Sequence, residues 1–259
     1  MKWNPLLWLY NVYALVVFVV LMLPVFLFAV PASFLGNIKG GNLIYKACML
    51  WGDVWFGLIF IRHKNIYEQP LRKDQSYIFV ANHISYLDSP IIVKTFRRSL
   101  RALGKVEMTK IPVFGFIYRR AIVTVDRSSP GNRTKSVQIL KSILRKGISV
   151  LVFPEGTFNL THQPLKEFYD GAFRVAIESN TPVKPVLFLD GYTRMPYERL
   201  FSLSPGISRS VFLEEISTKG LTVNDVAILR KKVYQLMERK LIEYKASWIK
   251  EPIKHDIVE

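Results

Sequence analysis

A chain of 259 residues is long enough for one sizeable domain with an appendage and a real buried core. Half of its residues are hydrophobic and its net charge is +16, a pairing that suits a membrane surface carrying anionic lipid, or negatively charged small molecules. The single cysteine, Cys48, excludes an internal disulfide framework and a cysteine-rich metal site. Nucleic acid is disfavoured as a partner, because the basic residues are scattered and no helix-turn-helix, zinc-finger or RNP-type pattern occurs.

No charged residue falls between Trp3 and Ile38. The core of this run, Leu6 to Leu35, exceeds the roughly 20 residues that cross a bilayer as a helix. It is too long for a signal peptide and no small-residue cleavage site ends it. Pro24 and Pro31 can bend it, and Trp3, Trp8, Tyr10 and Tyr13 suit a membrane interface. A second apolar segment, Leu43 to Ile61, carries Lys46 and Asp53, so its place is at the bilayer surface or against the first helix. Both a single span and a two-helix hairpin in one leaflet satisfy this pattern. Residues 1–64 are expected to form a membrane anchor, and residues 65–259 the domain that it carries. Lys39, Lys46, Arg62, His63 and Lys64 follow the apolar run, and the positive-inside rule puts their side, and the domain, in the cytoplasm.

From about Asp74 the pattern is α/β. Strands are expected at Tyr77–Val80, Leu100–Gly104, Ala121–Val125, Ser149–Phe153, Val183–Leu189 and Ser210–Glu214. Helices are expected between them at Thr134 to Arg145, with Val137, Leu140 and Leu144 on one face, and at Phe168 to Glu178. Thr222 with Asp225 resembles a capping box that opens a long helix striped by Val226, Leu229, Val233, Leu236, Met237 and Leu241. Lys231, Lys232, Arg239 and Lys240 mark its solvated face.

Three stretches carry chemistry. After the first strand comes Asn82-His83-Ile84-Ser85-Tyr86-Leu87-Asp88-Ser89-Pro90. Ser89 is a suitable cap and Pro90 a suitable first residue for a helix running to Phe96. His83 then lies in a strand-to-helix turn. On a helix, residues five apart point away from each other, so Asp88 reaches His83 only if the loop doubles back. A His held by a carboxylate with its other nitrogen free is a general base; a strand-end His bonded only to its loop is the bland alternative. Next, Lys110-Ile111-Pro112-Val113-Phe114-Gly115 leads to Val125-Asp126-Arg127. An arginine at a strand end can clamp a phosphate bidentately, or simply pair with Asp126. Last, Phe153-Pro154-Glu155-Gly156-Thr157 joins a carboxylate, a permissive backbone and a hydroxyl at a strand end, although Glu-Gly also suits a plain turn. His162 belongs to a loop turned by the following Pro164, and His63 to the basic membrane edge.

The order of these pieces resembles the glycerolipid acyltransferase family, and within it the 1-acylglycerol-3-phosphate acyltransferases. The resemblance covers Tyr77 to Leu189: His83 and Asp88, then Gly115 with Arg127, then Phe153 to Thr157, then Val183-Lys184-Pro185-Val186. Four ordered blocks are far more specific than one. The resemblance implies a mixed α/β sheet flanked by helices, with a membrane-embedded helical segment before it. It implies that His83 deprotonates the free hydroxyl of a lysophospholipid while Asp88 orients it, and that the hydroxyl attacks the thioester of acyl-CoA or acyl carrier protein directly. Gly115, Arg127, Glu155 and Gly156, with Thr157 adjoining, are implied to bind the acceptor's glycerol phosphate, and Lys105 and Lys110 to add positive charge near it. Pro185 and Val186 shape the core beneath the site or the acyl path. No metal or cofactor is implied; the substrates are lysophosphatidate and the thioester, the partners membrane lipids and an acyl carrier protein.

One departure stands out. Members often follow the third block with Arg-Ser, whereas Phe158-Asn159 follow Thr157 here. Another lysolipid acceptor, such as an aminolipid precursor, therefore stays open. A non-catalytic basic membrane-binding module is the rival from a different class, although such a module has no need of His83, Asp88, Arg127 and Glu155 together. A serine hydrolase lacks its Gly-x-Ser-x-Gly elbow.

Overall fold

A computed structural model describes residues 5–125, 130–199 and 201–250. Helices α1 (Pro5–Ser33) and α2 (Gly36–Leu58) lead into strand β1 (Ile61–Tyr67). There follow β2 (Ile78–Ala81), α3 (Asp88–Thr95), β3 (Leu100–Lys105), α4 (Phe114–Ala121) and β4 (Ile122–Val125). Next come α5 (Pro130–Arg145), β5 (Ser149–Val152), α6 (Gly171–Glu178) and β6 (Val183–Phe188). The last elements are α7 (Gly191–Arg194), β7 (Gly206–Phe212) and α8 (Val226–Glu243).

One seven-stranded sheet runs in the order β1-β7-β6-β2-β5-β3-β4. Strands β6, β2, β5, β3 and β4 are mutually parallel, while β7 runs antiparallel to β6 and carries β1 beside it in parallel. The sheet is mixed and α/β, as the blocks imply. Its centre reads as short apolar runs because both faces are covered. Side chains alternate between the faces: Phe79, Ala81, Leu151, Val186, Phe188 and Phe212 join one cluster, and Ile78, Val80, Val150, Val152, Leu187 and Val211 the other.

The first cluster is closed by α1, α2, α3 and α4, the second by α5, α6 and α8. The capping box at Thr222 forms, with the Thr222 N–H donating to Asp225 Oδ2 over 2.8 Å. Leu229, Val233, Met237 and Leu241 of α8 are buried, each worth about 1.5–3 kcal/mol relative to an exposed side chain.

Three differences from the sequence-based expectation have physical reasons. Strand β1 is unheralded because Ile61–Tyr67 has no apolar alternation; it is an edge strand stabilised by pairing with β7. The division expected at residue 64 therefore falls inside a strand of the sheet. The α1–α2 pair also packs with α3 and α4 over one face of the sheet, so it is built into the fold. Third, β7 starts at Gly206 rather than Ser210 and ends at Phe212, because its pairing with β1 runs over that length.

Candidate active site

The parallel strands deliver their carboxyl ends to one side of the sheet, and the register brings Val80 of β2 beside Val152 of β5. His83 leaves β2 just beyond this level and Phe153-Pro154-Glu155 leaves β5 beside it. Asn82 pins the end of β2 to β6 through reciprocal bonds with the backbone of Phe188, at 3.0 and 2.9 Å.

The chain after His83 does double back. Asp88 Oδ2 accepts from the backbone N–H groups of Ile84 and Ser85, at 2.8 and 2.9 Å, and from His83 Nδ1 at 2.8 Å. These bonds fold the loop onto the carboxylate. They also place α3's start at Asp88, with Leu87 before it and no side-chain cap, so Ser89 lies within the helix and does not cap it. The first turn of a helix favours a carboxylate. Asp88 is fully buried, and its other oxygen lies against Gly191, where an added Cβ would come within 2.9 Å of Oδ1. Nδ1–H thus points at Asp88 and leaves the Nε2 lone pair free. Among the described residues Nε2 has no hydrogen-bond partner, and the side chain keeps 22% exposure.

Two aromatic rings wall the imidazole. Phe153 stacks on it at 4.2 Å between centroids, and Phe158 meets it edge-on at 4.3 Å, with Tyr86 against the far side of Phe158. Phe158, the departure from Arg-Ser, is thus part of the base's pocket. Asn159 organises the following loop: Nδ2 donates to Gln163 O, and Oδ1 accepts from the N–H and hydroxyl of Thr161.

Glu155 is buried, and both its oxygens are committed to backbone. Oε1 accepts the His83 N–H and Oε2 the Lys166 N–H, each at 2.9 Å. Burial pushes its carboxyl up to about 7, against the pull of those two N–H groups; Asp88's charge adds to the rise and Lys166's opposes it. Gly156 turns the chain with φ of 74°, which glycine adopts without strain. Thr157 is exposed, and its hydroxyl accepts from Lys166 Nζ at 2.9 Å. Lys166, eleven residues after Glu155, carried no signal in sequence because the intervening loop decides where it lands.

The structure therefore brings together His83, Asp88, Glu155, Gly156 and Thr157. Gly115 is buried in the first turn of α4, where a Cβ would sit 2.2 Å from Thr109 O, so only glycine fits. Lys105 ends β3, and Lys110 ends the 3-10 turn that follows; both are exposed. Arg127 lies outside the described residues. Pro185 and Val186 sit in β6 beside Val80 and Ala81, beneath the site. His162 is a loop residue bonded to Trp248 O. His63 lies in β1 between the exposed Arg62 and Lys64, bonded to Ser208 and Asn65, and burial lowers its pKa to about 4.

A histidine oriented by a buried carboxylate, at the carboxyl end of a mixed α/β sheet, has the geometry of a general base that acts on a hydroxyl or water. Comparisons narrow this class. The acyltransferase family profile matches residues 63–189. The 1-acyl-sn-glycerol-3-phosphate acyltransferase alpha of Mus musculus is 30% identical over 168 residues, 63% of this chain and 58% of that one. The 1-acyl-sn-glycerol-3-phosphate acyltransferase of Haemophilus influenzae is 27% identical over 198 residues, 73% of this chain and 80% of that one. The crystal structure of the LPA acyltransferase PlsC from Thermotoga maritima matches with a TM-score of 0.72 and 27% identity, covering 95% of this chain and 98% of that one. Over residues 63–189 the chain is similar to the acyltransferase family, and it is an acyltransferase.

Proposed function

We propose that the protein transfers a fatty acyl group from an acyl thioester, acyl-CoA or acyl carrier protein, to the free hydroxyl of 1-acylglycerol-3-phosphate, forming phosphatidate at a membrane surface. The observation that carries this reading is the 2.8 Å bond from His83 Nδ1 to the buried Asp88 Oδ2, which leaves Nε2 free.

The acceptor's hydroxyl gives its proton to Nε2 as its oxygen attacks the thioester carbonyl. The resulting imidazolium is held by Asp88. Collapse of the tetrahedral intermediate breaks the C–S bond, and the leaving thiolate takes the proton back from Nε2. No acyl-enzyme forms, and the aromatic walls of Phe153 and Phe158 exclude water that would otherwise hydrolyse the thioester. Gly156, Thr157, Lys105, Lys110 and Arg127 are the candidates for holding the acceptor. Beside α3, an apolar cavity of about 120 Å³ opens between the α1–α2 pair and α4, lined by Met22, Trp51, Pro90 and Ile117 among others.

The outward face of α1 supports the membrane reading. Leu9, Val16, Val20 and Leu27 are each more than half exposed, and α1 is long and apolar enough to cross a membrane. Its inner face, however, is buried from Asn11 to Ala32. A helix flanked by its own domain over that length favours lying in one leaflet with α2 over crossing the bilayer. The positive-inside rule places the domain on the cytoplasmic side.

The test is product analysis with purified protein in liposomes, offering labelled acyl-CoA and acyl carrier protein against lysophosphatidate and a panel of other lysolipids. Phosphatidate formation is expected, lowered by about 10²–10⁴-fold in His83→Ala. Phe158, which replaces a basic residue with an aromatic one, makes a different lysolipid the second reading, and activity only on such an acceptor would establish it. Silence across the panel from folded protein would leave the membrane-binding module.

A further inference from the structure

We propose that Lys166 is the cation that holds the acceptor's anionic head group, taking the place of the basic residue that the third block lacks. The proposal rests on the reading that the acceptor is an anionic lysolipid.

The residues that follow Thr157 are unavailable for that task. Phe158 is spent on His83, and the side chain of Asn159 is spent on Gln163 and Thr161. The loop these bonds organise is anchored further by Trp248, whose indole N–H donates to Gln163 O at 3.0 Å. It returns the chain to the site at Lys166. There the Lys166 N–H and the His83 N–H bind the two oxygens of one carboxylate, that of Glu155. The base and the lysine are therefore held on the same buried group, two hydrogen bonds apart.

From that fixed backbone the Lys166 side chain reaches Thr157 Oγ1 at 2.9 Å. Thr157 lies within a segment that wraps His83: Glu155 binds its N–H, Phe158 packs on its ring, and the Asn159 N–H donates to its carbonyl at 2.8 Å. The ammonium thus stands at the rim of the base's pocket. Among the described residues no carboxylate lies within 4.0 Å of Nζ, whereas Lys94, Lys141, Lys240 and Arg209 each pair with one. An ammonium has three donors, and a single neutral hydroxyl engages one of them. The remaining donors suit a phosphate or carboxylate brought beside Thr157.

The backbone N–H that Glu155 holds is kept when methionine or arginine replaces Lys166, so the clamp on His83 is kept. Lys166→Met preserves the apolar stem and removes the charge; Lys166→Arg preserves the charge. For each, and for wild type, kcat and KM are measured in mixed micelles with 1-acylglycerol-3-phosphate and with uncharged monoacylglycerol. The wild type should prefer the phosphate-bearing acceptor. Lys166→Met should lower that preference about tenfold or more, through KM, and Lys166→Arg should restore most of it. A Lys166→Met enzyme with the wild-type preference overturns the role of Lys166 and leaves the acceptor reading standing. A wild type with no preference for the phosphate overturns both.

Discussion

At the scale of single residues, two buried carboxylates from different loops do two different jobs around His83. Asp88 accepts three bonds on one oxygen and thereby fixes the tautomer of His83. Glu155 spends both oxygens on backbone and holds the loops that present the base and Lys166. The His–Asp pair was legible in sequence because its spacing, strand and following helix were all local. The contacts of Glu155 were not, since one partner lies 72 residues earlier and the other on a long loop. Its raised pKa has a measurable consequence. The unfolded chain releases this proton near 4.5, but the fold retains it to about 7. The folded state binds more protons in that window, so this group's contribution is complete below 4.5 and is lost as pH rises to 7. The loss is about 3 kcal/mol. Glu155→Gln should flatten this part of the stability curve between pH 5 and 7.5, as read by denaturant unfolding. An unchanged slope would show that the carboxyl titrates normally.

Among elements, the α1–α2 pair shows how a membrane-type pattern can conceal a docking surface. Asn11 sits in an apolar run, yet it is buried and bonds both backbone groups of Leu203, at 3.0 and 2.8 Å. Tyr10 O–H donates to Ile59 O, Trp55 N–H to Ala14 O, and the buried Arg101 to Asn37 O and Asn42 Oδ1. Hydropathy reported the length of α1 but not these attachments. Asn11→Leu leaves the N–H and C=O of Leu203 buried without their partner, at a cost of about 1–3 kcal/mol. Melting in detergent should fall accordingly; a melt equal to wild type would mean that α1 is held elsewhere. Helix α8 is the contrasting case. Its apolar stripe and capping box forecast its limits closely, because both signals are local and its packing face is continuous.

For the whole molecule, one face of the sheet is covered by soluble-type helices and the other by α1 to α4, where the outer side of α1 is apolar and exposed. This arrangement predicts membrane attachment through α1's outer face rather than through its ends. Val16→Lys with Val20→Lys adds two charges one helical turn apart on that face, where both residues are more than half exposed. Liposome flotation should be lost or greatly weakened, with the far-ultraviolet circular dichroism of wild type retained. Undiminished flotation would remove this face from the contact. The sequence by itself determined the α/β class, the two apolar segments before it, the His83–Asp88 pair and the block at Glu155, since each depends on residue type and short spacing. Tertiary structure alone decided that β1 joins the sheet's edge, that Gly115 lies against Thr109, and that Glu155 faces backbone. It also decided that Lys166 arrives beside Thr157. Those outcomes depend on loops and strand pairings that join residues far apart in the chain, and no local pattern encodes where such a loop comes to rest.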